Sequence, residues 1–516
     1  MSNIPHLPAL RRGKAYESLD TVEVKDFRTG EVKATVSQVN AGIVRKDLAR
    51  VGEAQAALKK FSVAQLIEIC AKAGEQFLNG TLPLGDKGHT QSPQQYIETL
   101  SSTSGLPHVM VRRNMEKVHL ALTKMPMVLN GLTRGLDLSI LDSGNGEQFG
   151  TRLSFFPTTQ ALGLVMPSNS PAVNSLWLPS IALKTPVIIK PGKEEPWTPY
   201  RLIQAFLAAG APAEAFGFYP TDHEGAAAIL NSCGRALIFG DKSTTAQYAN
   251  NPAIQIHGPG WSKILIGEDC IENWRDYVDV MVASISDNGG RSCINASAIV
   301  VPKYAAEIAD ALAQKLGPVS PTRADDPNAR LSGFANPKMA DFIDAQIEDG
   351  LKTPGATDVT AKYRLVGQAS RLSSLQSEAI TSTGLTSGSP MNDSQDRRDA
   401  CPTTARKVTL DGGVFVRPSV VLCDSFQHPL ANREFLCPYA SVVQVPQAEM
   451  LKQIGYTLAC TAITKNAKFI EELQAFPHIE RLNIGPVSTM KISWDQPHEG
   501  NMFEFLWQRR SIERAW

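Results

Sequence analysis

Apolar and polar positions along this chain follow two alternating rhythms. From about residue 45 to 135, apolar residues recur at helical spacing. SPQQYIETLSSTSGLP supplies a serine cap, a helical run and a Gly-Leu-Pro stop, and RNMEKVHLALTKMPMVLNGL follows as a second amphipathic run. LDLSILDSGNGEQFGTRLSFFP then predicts two strands joined by a Ser-Gly-Asn-Gly turn. Its Gly144, Gly146 and Gly150 do not form a dinucleotide fingerprint, because a strand rather than a helix follows. From about 160 to 266, short apolar runs (ALGLVMP, TPVIIKP, EAFGFYP, ALIFGD, SKILIG) alternate with helical stretches. That alternation predicts a doubly wound, largely parallel sheet with ligands at the carboxyl ends of its strands. A second strand-helix series runs from about 267 to 480. It opens on WRDYVDVMVASI, whose Trp274, Tyr277, Val278, Met281, Val282 and Ile285 share one helical face, with Asn288-Gly289 as its stop.

One stretch breaks the rhythm. Residues 368 to 406 are rich in Ser and Thr, contain no aromatic residue and show no sustained apolar period. They predict a disordered or loosely packed insertion, and no chemistry is assigned to Cys401 within it.

At 516 residues the chain exceeds one simple core, and two or three domains are expected. Lys+Arg and Asp+Glu both number 51, which argues against nucleic acid or an anionic membrane as main partner. Neither a signal peptide nor a 20-residue apolar span is present, so no membrane association is expected. The eight cysteines are scattered, without CxxC pairs or zinc spacing. Free thiols, no metal and a cytoplasmic location fit that distribution. Among them Cys293 stands apart, because ISDNGGRSCINAS places it in a connection after an Asn-Gly-Gly turn and before the strand AIVVP. Connections carry function more often than cores do.

Four separated segments, PSNSP (167 to 171), IIKPGKEEP (188 to 196), the cysteine turn (287 to 293) and REFLCPYASVV (433 to 443), resemble in this order the motifs of the aldehyde dehydrogenase superfamily. The resemblance extends over nearly the whole chain outside the insertion. It implies Cys293 as nucleophile and Asn169, with the Cys293 backbone N–H, as donors to the developing oxyanion. It further implies a small-molecule aldehyde substrate, NAD or NADP as cofactor, and a cofactor-binding set of Met166, Ser168, Lys190, Lys193, Gly240, Lys242 and Glu434. Lys190 would reach the adenosine ribose and Glu434 the nicotinamide ribose. Lys193 stands where NAD-preferring relatives often have Glu, so NADP should be accepted; a shift of one residue would put Glu194 there instead. FGDKST lies where relatives place the helix N-terminus under the pyrophosphate, with Asp241 and Lys242 replacing the usual Gly-Ser.

The largest departure is IQIHGPGWSKILIG, where hydrolytic relatives carry E-L-G-G-K. Ile256 or His257 takes the place of the glutamate that activates water. Two outcomes follow: thioester release to coenzyme A, which Gly258-Pro259-Gly260 suits, or hydrolysis with His257 as base. The first is preferred here. The rival from another class is a non-catalytic nucleotide-binding or scaffold relative, motivated by the missing glutamate.

The expected fold is α/β and aldehyde dehydrogenase-like, with two doubly wound α/β domains plus a small β oligomerisation element. Residues 1–137 and 159–266 form the NAD(P)-binding domain and 267–480 the catalytic domain, carrying the insertion. Residues 138–158 and 481–516 form the oligomerisation element, and the resemblance implies a homodimer or homotetramer.

Overall fold

A computed structural model describes residues 4–85, 87–364, 405–513 and 515. The chain divides into two compact units. Unit 1 comprises Met1–Gly260, Ala324–Asn328 and Lys491–Trp516, and unit 2 comprises Trp261–Arg323 and Ala329–Met490.

Unit 1 is built on a seven-stranded sheet. In chain order its strands are β1 (Ala9–Arg11), β2 (Lys14–Tyr16), β3 (Leu162–Val165), β4 (Val187–Lys190), β5 (Phe216–Phe218), β6 (Arg235–Phe239) and β7 (Ile254–His257). The spatial order is β7-β6-β3-β4-β5-β1-β2. Strands β3 to β7 are mutually parallel, and the antiparallel β1 and β2 close one edge. Successive strands run outward from β3 through β4 to β5, then return to its other side as β6 and β7. The switch point therefore lies between β3 and β6, where an open parallel sheet leaves a crevice at its carboxyl ends. The parallel strands are almost wholly buried, which explains their continuous apolar runs.

The helical stretch of unit 1 begins at Ala41 and is interrupted by the short strands Leu82–Pro83 and Thr90–Gln91. Ser92 closes a capping box with Gln95, and Gly105 ends that helix in the left-handed region at φ 84°. The second run is two helices, His108–Thr123 and Met125–Thr133, parted at Lys124, with Pro126 in the first turn of the second.

Two expectations about this unit need correction. The hairpin near 138–158 turns at Phe149-Gly150, both left-handed, and not at the Ser-Gly-Asn-Gly stretch. Ile140–Ser143 is a helical turn that Gly144 caps at φ 75°. The chain tail returns to this hairpin, with Trp507–Arg510 pairing antiparallel to Thr151–Pro157 as its third strand.

Unit 2 carries a second seven-stranded sheet. Its strands are β8 (Lys263–Ile266), β9 (Ala298–Val301), β10 (Ala356–Asp358), β11 (Ser419–Cys423), β12 (Tyr439–Gln444), β13 (Thr457–Ile463) and β14 (Ile479–Ile484). The order is β10-β11-β12-β9-β8-β13-β14, parallel except for the edge strand β10. SKILIG, read as the last strand of the first series, is β8 and lies inside this second sheet. The helix Val278–Ser286 buries Val278, Met281 and Ile285 against it, preceded by the tighter turn Ile271–Tyr277 that buries Trp274. Residues 368–404 of the expected insertion, Cys401 included, lie outside the described residues. Arg406, also assigned to it, is buried and ion-paired to Asp344 and Asp358 at 2.8 and 3.1 Å. No helix among the described residues is long and apolar enough to cross a membrane.

Candidate active site

In unit 1, the expected cofactor residues gather at the carboxyl ends of adjacent parallel strands. Met166 follows β3, Lys190 ends β4 and Gly240 follows β6, so they flank the switch point. The Met166 N–H donates to the Lys190 carbonyl at 2.9 Å, which ties the first two loops together. Ser168 Oγ accepts from the Glu194 N–H at 3.3 Å. A Cβ at Gly192 would collide with Ser168 Oγ and the Pro167 carbonyl, so only glycine allows this approach. Asn169 is half-buried in the same loop. Asn114 pins its continuation, accepting from Ser170 Oγ at 3.0 Å and from the Ala172 N–H at 3.3 Å.

The run Lys193-Glu194-Glu195 divides three ways. Lys193 is exposed, whereas Glu194 is half-buried and its charge acts on Lys190. Burial pushes the Lys190 ammonium down, and Glu194 opposes that shift. Glu195 is buried and accepts from the Thr198 N–H at 2.8 Å and from its hydroxyl at 2.6 Å. Burial pushes its carboxyl up to about 8, against those hydrogen bonds. The residue paired electrostatically with Lys190 is thus Glu194 and not Lys193.

At FGDKST, Asp241 caps the four-residue helix Lys242–Thr245, accepting from the Thr244 N–H at 2.8 Å and from Ser243 Oγ at 2.7 Å. These bonds hold its carboxyl below the usual range. A helix end expected to face a pyrophosphate already carries a carboxylate, and Lys242 is exposed beside it.

His257 ends β7 and is 7% exposed. Its ring stacks on Phe239, with centroids 4.5 Å apart and an interplanar angle of 18°. Nδ1 is hydrogen-bonded to the carboxylate of Glu499, from the tail segment of this unit. Nε2 is buried and makes no hydrogen bond among the described residues. Gln255, two residues earlier on β7, donates to the Glu499 carbonyl.

In unit 2, the functional residues lie at the opposite, amino-terminal edge of the sheet. Cys293 sits in the turn before β9. Asn288, Gly289 and Gly290 are consecutively left-handed at φ 56°, 66° and 68°. Gly290 is required twice over, since a Cβ there would meet the Cys437–Pro438 backbone. Asn295 is buried and holds the turn shut. Its amide donates to the Ser284 and Asp287 carbonyls, both at 3.0 Å, and its oxygen accepts from the Ser292 N–H at 2.9 Å. Ser262 Oγ donates to the Cys293 carbonyl at 2.9 Å. Of the seven described cysteines, six are buried and Cys293 alone is partly exposed. Burial pushes the thiols of Cys70, Cys233, Cys423, Cys437 and Cys460 up to about 12. The guanidinium of Arg481, on β14, is pushed down by burial and supported by the charge of Cys293.

Glu434 precedes β12 and accepts from the Trp261 N–H at 2.7 Å. Lys263, at the start of β8, donates to the Trp261 and Tyr456 carbonyls and to Thr457 Oγ1 at 2.6, 3.3 and 3.2 Å. Burial lowers its ammonium to about 7, opposed by Cys460 and Glu434.

Sequence reasoning missed Asn114, Gln255, Asn295, Arg481 and Glu499. Asn295 alone had a signal, standing two residues beyond Cys293.

The sequence profile of the Aldehyde dehydrogenase family matches residues 114–367, a span that contains Asn169, Lys190, His257 and Cys293. A Staphylococcus haemolyticus (strain JCSC1435) protein provisionally named an aldehyde dehydrogenase is 22% identical over 350 residues, 65% of this chain and 68% of its own length. Among solved structures, the aldehyde dehydrogenase KauB from Pseudomonas aeruginosa aligns with a TM-score of 0.74 at 13% identity, covering 98% of this chain and 96% of its own. An NAD-dependent aldehyde dehydrogenase from Sinorhizobium meliloti aligns with a TM-score of 0.73 at 14% identity, covering 98% and 94%. At these identities the structural likeness speaks for the fold.

Proposed function

The chain belongs to the aldehyde dehydrogenase superfamily, and from that premise we propose that it oxidises an aldehyde through a thioester on Cys293 and releases a carboxylic acid. The observation that carries this reading is the placement of Cys293, the partly exposed thiol among the described cysteines, in a turn that Asn295 locks and three left-handed residues shape. A buried, freely packed cysteine needs none of that construction.

The residues at the switch point suit a nicotinamide dinucleotide. The Lys190 ammonium and Glu194 carboxylate offer a donor and an acceptor for ribose hydroxyls at the carboxyl ends of the strands. Met166, Ser168, Lys190 and Gly240 would hold the cofactor at this switch point, and the family resemblance gives Glu434 the nicotinamide ribose. The cofactor, when bound, supplies the hydride acceptor. The Cys293 thiolate attacks the aldehyde carbon, and the Asn169 amide and Cys293 N–H donate to the oxygen that gains charge. The positive charge of Arg481 favours the thiolate.

For the second half of the reaction, His257 favours water over coenzyme A as acyl acceptor. An imidazole held at Nδ1, with a buried Nε2 that makes no hydrogen bond among the described residues, is the arrangement a general base needs. This reverses the preference for acyl transfer drawn from Gly258-Pro259-Gly260. The three-stranded sheet of hairpin and tail, with Phe149 95% exposed at its turn, is the proposed oligomerisation element of a homodimer or homotetramer.

The test is stopped-flow NAD(P)H absorbance with a panel of aldehydes, with and without coenzyme A. Steady turnover without coenzyme A, abolished by Cys293→Ser, supports the hydrolytic reading. A stoichiometric burst that stalls until coenzyme A is added replaces it with acyl transfer. No burst on any aldehyde would favour a non-catalytic relative.

A further inference from the structure

Glu499 lies 242 residues from His257 in the chain, in the tail segment of the same unit. Three observations nonetheless fix it against the end of β7. Its carboxylate is 9% exposed and meets His257 Nδ1. Its carbonyl accepts from the Gln255 side chain. Its backbone is left-handed at φ 52°, a conformation unfavourable for glutamate, and Gly500 follows at φ 96°. A Cβ at Gly500 would run into the same Gln255 amide, so glycine is needed to bring the loop this close. A glutamate with no structural task beyond solubility would be neither buried nor held left-handed.

We propose that Glu499 is the positioning residue of His257: it accepts a hydrogen bond from Nδ1–H, so that the lone pair resides on Nε2 and the ring cannot turn away. The proposal rests on the hydrolytic reading of His257. Phe239 restrains the ring from its face and Glu499 from its edge. In the step concerned, a water oxygen bonds to the thioester carbon and its proton passes to Nε2. The C–S bond breaks, its electron pair returns to Cys293 Sγ, and the carboxylic acid departs. The imidazolium formed transiently is stabilised by the Glu499 carboxylate before its proton returns to solvent. Family resemblance assigns the base to one carboxylate near this position. Here a histidine and a carboxylate from a distant segment divide that work between them.

p-Nitrophenyl acetate tests this without cofactor or a known aldehyde. Acylation of Cys293 releases p-nitrophenolate as a burst, and the later steady release reads hydrolysis of the acetyl thioester. His257→Asn should keep the burst amplitude and slow the post-burst rate by about 10²-fold. Glu499→Gln should do the same to within roughly tenfold, and Glu499→Asp, with its carboxylate withdrawn by one methylene, should fall between Gln and wild type. The double variant H257N/E499Q should be no slower than H257N, since a positioning residue has nothing to act through once the ring is gone. A merely structural role would lower burst amplitude and add to H257N. If E499Q does not fold, E499D reads the same step, and a wild-type post-burst rate there overturns the proposal. Slow H257N beside wild-type-like E499Q overturns Glu499 alone. Unchanged H257N overturns His257 as base, and absence of a burst in wild type overturns the Cys293 thioester and this inference with it.

Discussion

The backbone N–H of Trp261 donates to Oε2 of Glu434 at 2.7 Å, joining the segment that leads into β8 to the loop before β12. Trp261 is itself left-handed at φ 42°, and its ring stands edge-on to Tyr456. One carboxylate oxygen is therefore committed to the protein. Under the proposed function, the carboxylate also holds a ribose. Glu434→Gln keeps an acceptor for Trp261 but loses charge. It should raise the cofactor KM by roughly tenfold, in line with about 1–2 kcal/mol for a charge-assisted hydrogen bond. Glu434→Ala also strips the Trp261 N–H of its partner and should lower stability as well. Cofactor titration and urea unfolding of both variants separate the two effects.

Cofactor preference should follow Glu194 and not Lys193. Glu194 acts on Lys190, whereas Lys193 is exposed. A carboxylate beside the ribose site disfavours a 2′-phosphate by on the order of 1 kcal/mol in a solvated setting. Glu194→Gln should therefore improve NADP binding relative to NAD by about fivefold, and Lys193→Ala should change the ratio little. Competitive titration of the two cofactors checks this; a large change in K193A and none in E194Q would restore the lysine to the role the sequence suggested.

The strands and their parallel order were legible because buried parallel strands read as continuous apolar runs between turn residues. Which sheet a run joins was not. KILI at β8 looks like VIIK at β4, and only pairing with β9 and β13 assigns it to the second sheet. The hairpin turn was misplaced because Ser-Gly-Asn-Gly has turn composition. Gly144 is indeed left-handed, yet it caps a helical turn while Phe149 takes the left-handed place that composition disfavours. Cys293, Asn169 and Lys190 lie in local motifs and could be found by them. Glu499 could not, since nothing at 499 announces a partner at 257.

Thiol reactivity offers a direct check on Cys293. Five buried thiols are pushed up to about 12, and Cys270 is raised by burial and by Asp269. In a Cys401→Ser background, iodoacetamide at pH 8 should label Cys293 at least tenfold faster than any other cysteine, as peptide mapping would show. Arg481→Gln should slow that labelling by removing the nearby cation. Asn295→Ala should slow it too, and cost about 1–3 kcal/mol through the buried carbonyls and N–H left without partners. Equal labelling across all thiols would remove the basis for Cys293 as nucleophile.

The buried Glu195 should leave a signature in stability against pH. Its carboxyl is raised by burial to about 8 in the folded chain, from its ordinary value of 4.5. Between those values the folded state keeps a proton that the unfolded state has lost. Stability from this group is therefore fully present below the lower value, falls as pH rises through the window, and levels off above the upper one. Lys263 acts in the opposite sense and higher up. Its ammonium is lowered to about 7 from 10.5, so its contribution rises with pH across that interval. The overlap is narrow, and subtracting Glu195→Gln from wild type cancels it. The amide keeps an oxygen to accept from the Thr198 N–H and hydroxyl, but does not titrate. Urea midpoints should show E195Q gaining steadily on wild type from pH 5 to 8, with a constant difference beyond. A difference that does not vary with pH would mean that Glu195 is ionised throughout, with its two Thr198 hydrogen bonds outweighing burial.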